Sequence, residues 1–127
     1  GRQAFGMQNW AGYYLGLYDE GAPGWKLAVE RIEKLAAECR ERNIPLVIAN
    51  YPELHDFGNY RFAKVGSGLK DISRRLSVTF IDLLDAVRDQ TESGLWVSPA
   101  DPHPNGRANR LFAEALRPLV TEVATPK

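Results

Sequence analysis

Apolar side chains recur every three or four residues in three stretches of the chain, which is the spacing of one buried helix face. The first predicted helix begins near Pro23 and ends near Asn43, a residue type that tolerates a left-handed cap. The second spans about 62–76, and the third follows Gly106. An aromatic-rich stretch at the start of the chain, residues 2–18, fits helical spacing only loosely because three glycines interrupt it.

Two uninterrupted apolar runs, IPLVIANY at 44–51 and VTFIDLL at 78–84, predict short strands buried on both faces. A short helix to about Asp89 and a loop through Trp96 are expected after the second run. Strands that alternate with helices form a parallel sheet covered by helices on both sides, so the predicted fold class is α/β. A length of 127 residues allows one domain, over 1–127.

The net charge limits the classes of binding partner, because sixteen basic and sixteen acidic residues cancel. Nothing in this composition favours nucleic acid or a membrane surface. No apolar run approaches the roughly 18–20 residues that span a bilayer. The single Cys39 excludes an internal disulfide, and its place on the apolar stripe of a helix predicts a core position. The cellular compartment stays open.

The segment ADPHPNGR at 100–107 holds a histidine between two prolines. Each proline fixes its own φ and restricts the residue before it, so this segment is predicted to be stiff and extended. An aspartate two residues away can bond one imidazole nitrogen and leave the other free as a base. We expect Asp101 within about 3.2 Å of a ring nitrogen of His103, with the other nitrogen facing a cleft. The alternative is a solvated turn residue in a loop that the prolines shape.

The stretch WVSPADPHPNGRANRLFAEAL at 96–116 resembles the last sequence block of the SGNH, or GDSL-type, hydrolases, where an Asp and a His precede Pro-Asn and a C-terminal helix. Residues 24–54 and 76–87 are similar to the helix-strand units that precede this block. The resemblance implies a three-layer α/β/α domain of the flavodoxin-like kind. It also implies serine ester hydrolysis or acyl transfer on a small-molecule or glycan ester, without metal or organic cofactor. It assigns the base to His103 and the orienting acid to Asp101.

The chain lacks that family's Gly-Asp-Ser nucleophile block, its oxyanion-hole glycine and its Gly-x-Asn-Asp segment. Ser67 lies in a predicted helix rather than at a sharp strand-to-helix turn, and Ser98 is expected to bond the backbone locally. Ser73, Ser77 and Ser93 are expected at the surface or in turns. The sequence therefore supplies a base and its acid but no nucleophile, and the chain alone is predicted to be inactive.

Three weaker possibilities remain open beside the hydrolase interpretation. Glu53, His55 and Asp56 could bind a metal together with His103 and Asp101, although two histidines make this unspecific. Asp82 at a strand end could accept a phosphoryl group, but it is more simply expected to cap the helix that follows. Finally, the whole chain could be a non-catalytic α/β interaction module whose Asp-Pro-His-Pro loop is structural.

Because only two strands are predicted, we expect the sheet to be completed by strands of another chain or segment. A two-stranded parallel sheet is rarely stable alone, and the 44–51 strand would leave one apolar edge unpaired. We expect this edge to pair with a second copy of the chain or with a missing N-terminal half of the same protein. Because the chain begins at Gly1 and its one methionine is Met7, we also expect a processed or partial chain.

Overall fold

The computed structural model describes residues 10–126, and the first part of the aromatic-rich stretch, at 2–9, lies outside the described residues. Two helices are followed by a strand, a helix and a second strand, and a two-stranded hairpin then precedes the last helix. The helices are α1 (10–16), α2 (Pro23–Glu41), α3 (Ala63–Arg75) and α4 (Gly106–Ala124). The strands are β1 (Val47–Asn50), β2 (Thr79–Asp82), β3 (Trp96–Ser98) and β4 (Asp101–Pro104). The three helices and two strands expected from the apolar pattern are all present, with ends within a few residues of those predicted.

β1 and β2 form a parallel pair in which Val47 lies opposite Thr79 and Asn50 opposite Asp82. Helix α3 packs against both strands. This confirms a mixed α/β chain with a parallel strand pair. The expectation that both strands are buried on two faces is wrong, because every residue of the pair is only partly buried. In a sheet of two strands each strand is an edge strand, so its side chains keep contact with solvent.

The best-packed region lies beyond the carboxyl end of β2, not over the sheet. It gathers the loop after β1, the turn after β2, the segment before β3 and the start of α4. Its buried members are Leu54, Phe57, Leu83, Leu84, Val87, Leu95, Ala108 and Phe112. By contrast, α2 buries only Ala36, and Cys39 on its apolar stripe is half-buried rather than in the core. Among the described residues, the carboxyl end of the sheet is therefore the better-packed end.

Asp82 begins the chain's turn away from β2, as its position predicted. Its carboxylate accepts a hydrogen bond from the Leu84 N–H at 3.1 Å, which caps a 3-10 turn over Leu83–Ala86. This single turn replaces the short helix expected to reach Asp89. Asn43 adopts the predicted left-handed conformation, with φ of 54°.

The expected loop up to Trp96 contains a 3-10 turn over Glu92–Leu95. From Trp96 the chain forms an antiparallel hairpin of β3 and β4, in which Ser98 lies opposite Asp101. The register shifts between Trp96 and Ser98. Prolines have no N–H to donate, so they are tolerated at the edge of a sheet or at irregular positions like these. The segment is extended, as predicted, but it is also paired. No helix within residues 10–126 is both long enough and apolar enough to cross a membrane.

Candidate functional site

Asp101 and His103 form the close pair that their spacing predicts. The Asp101 Oδ1 lies 2.5 Å from the His103 Nδ1 and also accepts the His103 backbone N–H at 3.1 Å. One carboxylate oxygen thus fixes both the backbone and the ring of the histidine. Since Nδ1 is engaged, Nε2 is the ring nitrogen left for other partners.

Asn105, two residues after His103, ties the start of α4 to the segment that precedes β3 and to β3 itself. Its Nδ2 donates to the carbonyl oxygens of Gly94 and Trp96, at 2.9 and 3.0 Å. Its Oδ1 accepts the Ala108 N–H at 3.0 Å, which caps the helix, and its own N–H donates to the Leu95 carbonyl at 2.8 Å. An asparagine is needed here because the position requires two donors and one acceptor on a single side chain. These four hydrogen bonds make Asn105 the residue that joins the hairpin to the last helix.

The pair is exposed to solvent. The His103 side chain is 83% exposed and that of Asp101 is 45% exposed. Hydrogen bonds from the His103 ring and then from the His103 backbone lower the pKa of the Asp101 carboxyl below its ordinary value. The aspartate is therefore ionised at neutral pH and can accept from the imidazole.

A cavity of about 370 Å³ lies beside the pair. Its walls are Trp10, Ala11, Glu53, His55, Asp56, Arg61, Phe62 and Pro102. Pro102, between Asp101 and His103, is the point of contact with the pair. Neither Asp101 nor His103 lines the cavity, so the expectation that the free nitrogen of His103 faces a cleft is not met there.

A second unit of the same spacing, Glu53-Leu54-His55, does line this cavity. The His55 Nδ1 contacts the Glu53 Oε1, and the His55 ring lies 4.8 Å from the Trp96 ring, centroid to centroid. The Trp96 Nε1–H donates to the Leu54 carbonyl at 2.9 Å. From the sequence these residues are possible metal ligands or a polar loop that, by the family resemblance, helps to line a substrate cleft. Their repeat of the acid-x-His spacing is a further signal that identifies them as a unit.

Tyr60 contacts the second unit through its hydroxyl group. Its hydroxyl oxygen accepts the Glu53 N–H at 2.9 Å. Burial, with smaller contributions from the carboxylates of Glu53 and Asp82, raises the pKa of Tyr60 to about 12. The phenol is therefore neutral at any physiological pH.

The remaining candidates lie elsewhere or have structural roles. Ser67 is on α3 and lines a different cavity, of about 660 Å³, with Lys70 and Asp82. Ser73 is fully buried and donates to the Leu69 carbonyl at 2.7 Å, which corrects its expected surface position. Over residues 10–126, no group of three or more His, Cys, Asp or Glu side chains could hold a metal ion.

The fold and this site define a mixed α/β chain with two acid-x-His units at one end. Comparison with family models, with curated proteins and with solved structures finds no match. The function is therefore argued from the residues and their geometry.

Proposed function

We propose that this chain carries the acid–base unit of an SGNH-type ester hydrolase or acyltransferase. His103 is the general base and Asp101 is its positioning residue. The observation that carries the proposal is the 2.5 Å contact between Asp101 Oδ1 and His103 Nδ1 in β4, just before α4. It leaves Nε2 as the free nitrogen, which is the nitrogen that a serine hydroxyl would need.

The reaction proceeds in two halves. A serine hydroxyl oxygen attacks the ester carbonyl carbon, and its proton passes to the His103 Nε2. When the tetrahedral intermediate collapses, the carbon–oxygen bond to the alcohol breaks and the imidazolium returns the proton to the departing oxygen. Water, or an acceptor alcohol in acyl transfer, repeats the sequence on the acyl-serine. The Asp101 carboxylate holds the imidazole in one tautomer and stabilises the imidazolium in each half.

The serine comes from a segment other than the printed chain, because no Gly-Asp-Ser block is present and Ser67 lines a different cavity. In this proposal β1 and β2 belong to a larger three-layer, flavodoxin-like parallel sheet. Further strands, with the serine, pair along the free edge of β1. The residues of β1 are partly exposed, and the apolar side chains of Ile44, before the strand, and Tyr51, directly after it, are exposed. Both observations support an edge that another strand covers.

The proposal is tested by comparing the chain alone with a longer version of the protein that contains the serine segment. The longer protein is expected to hydrolyse para-nitrophenyl acetate, while the chain alone stays at background. In the longer protein, Asp101→Asn is expected to lower turnover. Asp85→Asn is its matched control, because Asp85 is also an exposed carboxylate, paired with Arg88 at 3.1 Å. Near-normal turnover by His103→Ala in the longer protein would overturn the mechanism.

The high exposure of His103 favours one other function, a non-catalytic interaction module with a structural Asp-Pro-His-Pro segment. The reading frame upstream of Gly1 separates the two. A strand that ends in Gly-Asp-Ser supports the hydrolase, and a native start at Gly1 supports the module.

A further inference from the structure

We propose that the cavity lined by Glu53 and His55 binds an uncharged group of ring size, and that the His55 Nε2 is its hydrogen-bond partner. Where this group is named as the alcohol portion of the ester, the inference rests on the proposed function. The binding itself does not depend on that function. His55 is then a binding residue beside the proposed base, with a role distinct from that of His103.

The apolar side of the cavity suits a flat ring. The rings of Trp10 and Phe62 lie 5.8 Å apart, centroid to centroid, at an interplanar angle of 75°. Ala11 and Pro102 complete this side. A volume of about 370 Å³ is near the lower end of the roughly 300–1,000 Å³ typical of small-molecule sites. The space therefore takes one ring with a short substituent rather than a long chain.

On the polar side of the cavity each carboxylate lies next to a basic side chain. Glu53 contacts the His55 ring, and the Asp56 carboxylate lies 3.6 Å from the Arg61 guanidinium. Two carboxylates leave no excess of positive charge for an anionic ligand. Each carboxylate is also already next to a basic group, so a cationic ligand would have to compete for it. An uncharged ligand avoids both costs.

The ring of His55 is held for hydrogen bonding at one nitrogen. Glu53 occupies Nδ1, and the Trp96 ring packs against the imidazole. The His55 side chain is only 28% exposed, so its orientation is restricted before any ligand arrives. With the Nδ1–H donated to Glu53, Nε2 of the neutral ring carries the lone pair that accepts a hydrogen bond from a hydroxyl group of the ligand.

The cavity is connected to the proposed base through Trp96. This residue bonds the Leu54 carbonyl on one side and lies opposite Pro104 in the β3–β4 hairpin on the other. Pro102 of the same hairpin forms a wall of the cavity. A ligand bound there lies against the residue between Asp101 and His103, which suits the group that leaves as the alcohol.

The test uses three probes of nearly equal size and different charge: benzyl alcohol, benzoate and benzylammonium. Binding is followed by NMR titration of the histidine ring and tryptophan indole signals. Benzyl alcohol is expected to shift the signals of His55 and Trp10 and to bind at least about five-fold more tightly than either ion. His55→Phe keeps an aromatic ring on Trp96 and should weaken benzyl alcohol binding about five-fold, the loss of one hydrogen bond.

Trp25→Phe is the matched control, since it alters an aromatic ring that packs on Tyr18 and does not line the cavity. It should leave benzyl alcohol binding within about two-fold of the unaltered protein. Trp10→Ala is a second variant that spares the buried core, because Trp10 is exposed, and it should also weaken binding. Tighter binding of either ion, or equal binding by His55→Phe, would overturn the inference.

The two proposals fail separately. A protein that binds benzyl alcohol at His55 but never hydrolyses an ester keeps the binding site and loses the proposed function. An active hydrolase whose His55 and Trp10 signals do not respond to benzyl alcohol keeps the function and loses this site.

Discussion

The two acid-x-His units use the same spacing to reach the same contact in opposite surroundings. In Asp101-Pro102-His103 the middle residue is an exposed proline, and the histidine side chain is 83% exposed. In Glu53-Leu54-His55 the middle residue is a core leucine that is 3% exposed, and the histidine is 28% exposed. The first unit is held by a restricted backbone and the second by burial. The same local contact therefore orients an exposed histidine in one place and a histidine of a cavity wall in the other.

The largest expected effect is on catalysis, where substitutions of His103 and His55 should change different kinetic constants. In the serine-bearing protein, His103→Ala should lower kcat for para-nitrophenyl acetate by several orders of magnitude, and Asp101→Asn by up to about four orders. His55→Phe should change KM for a benzyl ester about five-fold and leave kcat within about ten-fold, because it removes one binding contact. Steady-state kinetics of the three variants measures the difference. A larger loss of kcat in His55→Phe than in His103→Ala would reverse the assigned roles.

The next effect is on stability, and it tests whether burial holds the Glu53–His55 unit while a restricted backbone holds the Asp101–His103 unit. Leu54→Ala removes core atoms and should lower the free energy of unfolding by about 2–4 kcal/mol. Pro102→Ala removes no buried atoms and should cost less than about 1 kcal/mol, mainly by freeing the unfolded chain. Urea denaturation followed by circular dichroism measures both. Equal losses in the two variants would show that burial does not distinguish the units.

A smaller effect concerns the tryptophan that links the units. Trp96→Phe keeps a ring beside His55 but removes the N–H that bonds the buried Leu54 carbonyl. The free energy of unfolding should fall by about 1 kcal/mol. The NMR signal of the His55 ring should move while the contact between Asp101 and His103 persists. Trp25→Phe is the control, since the Trp25 ring packs on Tyr18 at a centroid distance of 5.4 Å. Loss of the Asp101–His103 contact in Trp96→Phe would contradict the separation of the two units.

Alkali should affect the buried unit first. The pKa of Tyr60 is raised from 10.0 to about 12, so the folded state holds this proton more tightly than the unfolded chain does. The stabilisation is complete below pH 10 and is lost as pH rises from 10 to about 12. Melting temperatures between pH 9 and 12 should fall less steeply in Tyr60→Phe than in the unaltered protein. Parallel curves would show that Tyr60 titrates normally.

Acid should affect the exposed unit, with the smallest change in stability. The pKa of Asp101 is lowered by hydrogen bonds from His103, so its stabilisation is present above the ordinary pKa of 3.8. It is lost as pH falls through the lower pKa of the folded state. Titration of the Asp101 carboxyl by NMR should give a midpoint below 3.8, and His103→Ala should raise it. An unchanged midpoint in that variant would mean that His103 is not the cause.

The local patterns predicted most of the elements and one of the two units. Helical spacing located α2, α3 and α4, and the apolar runs located β1 and β2, because each is decided by neighbours along the chain. The β3–β4 hairpin was missed because prolines usually oppose strand pairing, and here an irregular register accommodates them. The cavity could not be predicted, since Trp10, His55 and Pro102 come together only through the tertiary fold. Likewise, nothing local indicates that Leu54 is buried while Pro102 is exposed.

The central claim is that His103 serves as the base for a serine on another segment. The most direct test treats the serine-bearing protein and its His103→Ala variant with a fluorophosphonate and locates the adduct by mass spectrometry. Our account predicts one modified serine outside the printed sequence, formed in the unaltered protein and not in the variant. No adduct in either protein, or equal labelling of both, would contradict it.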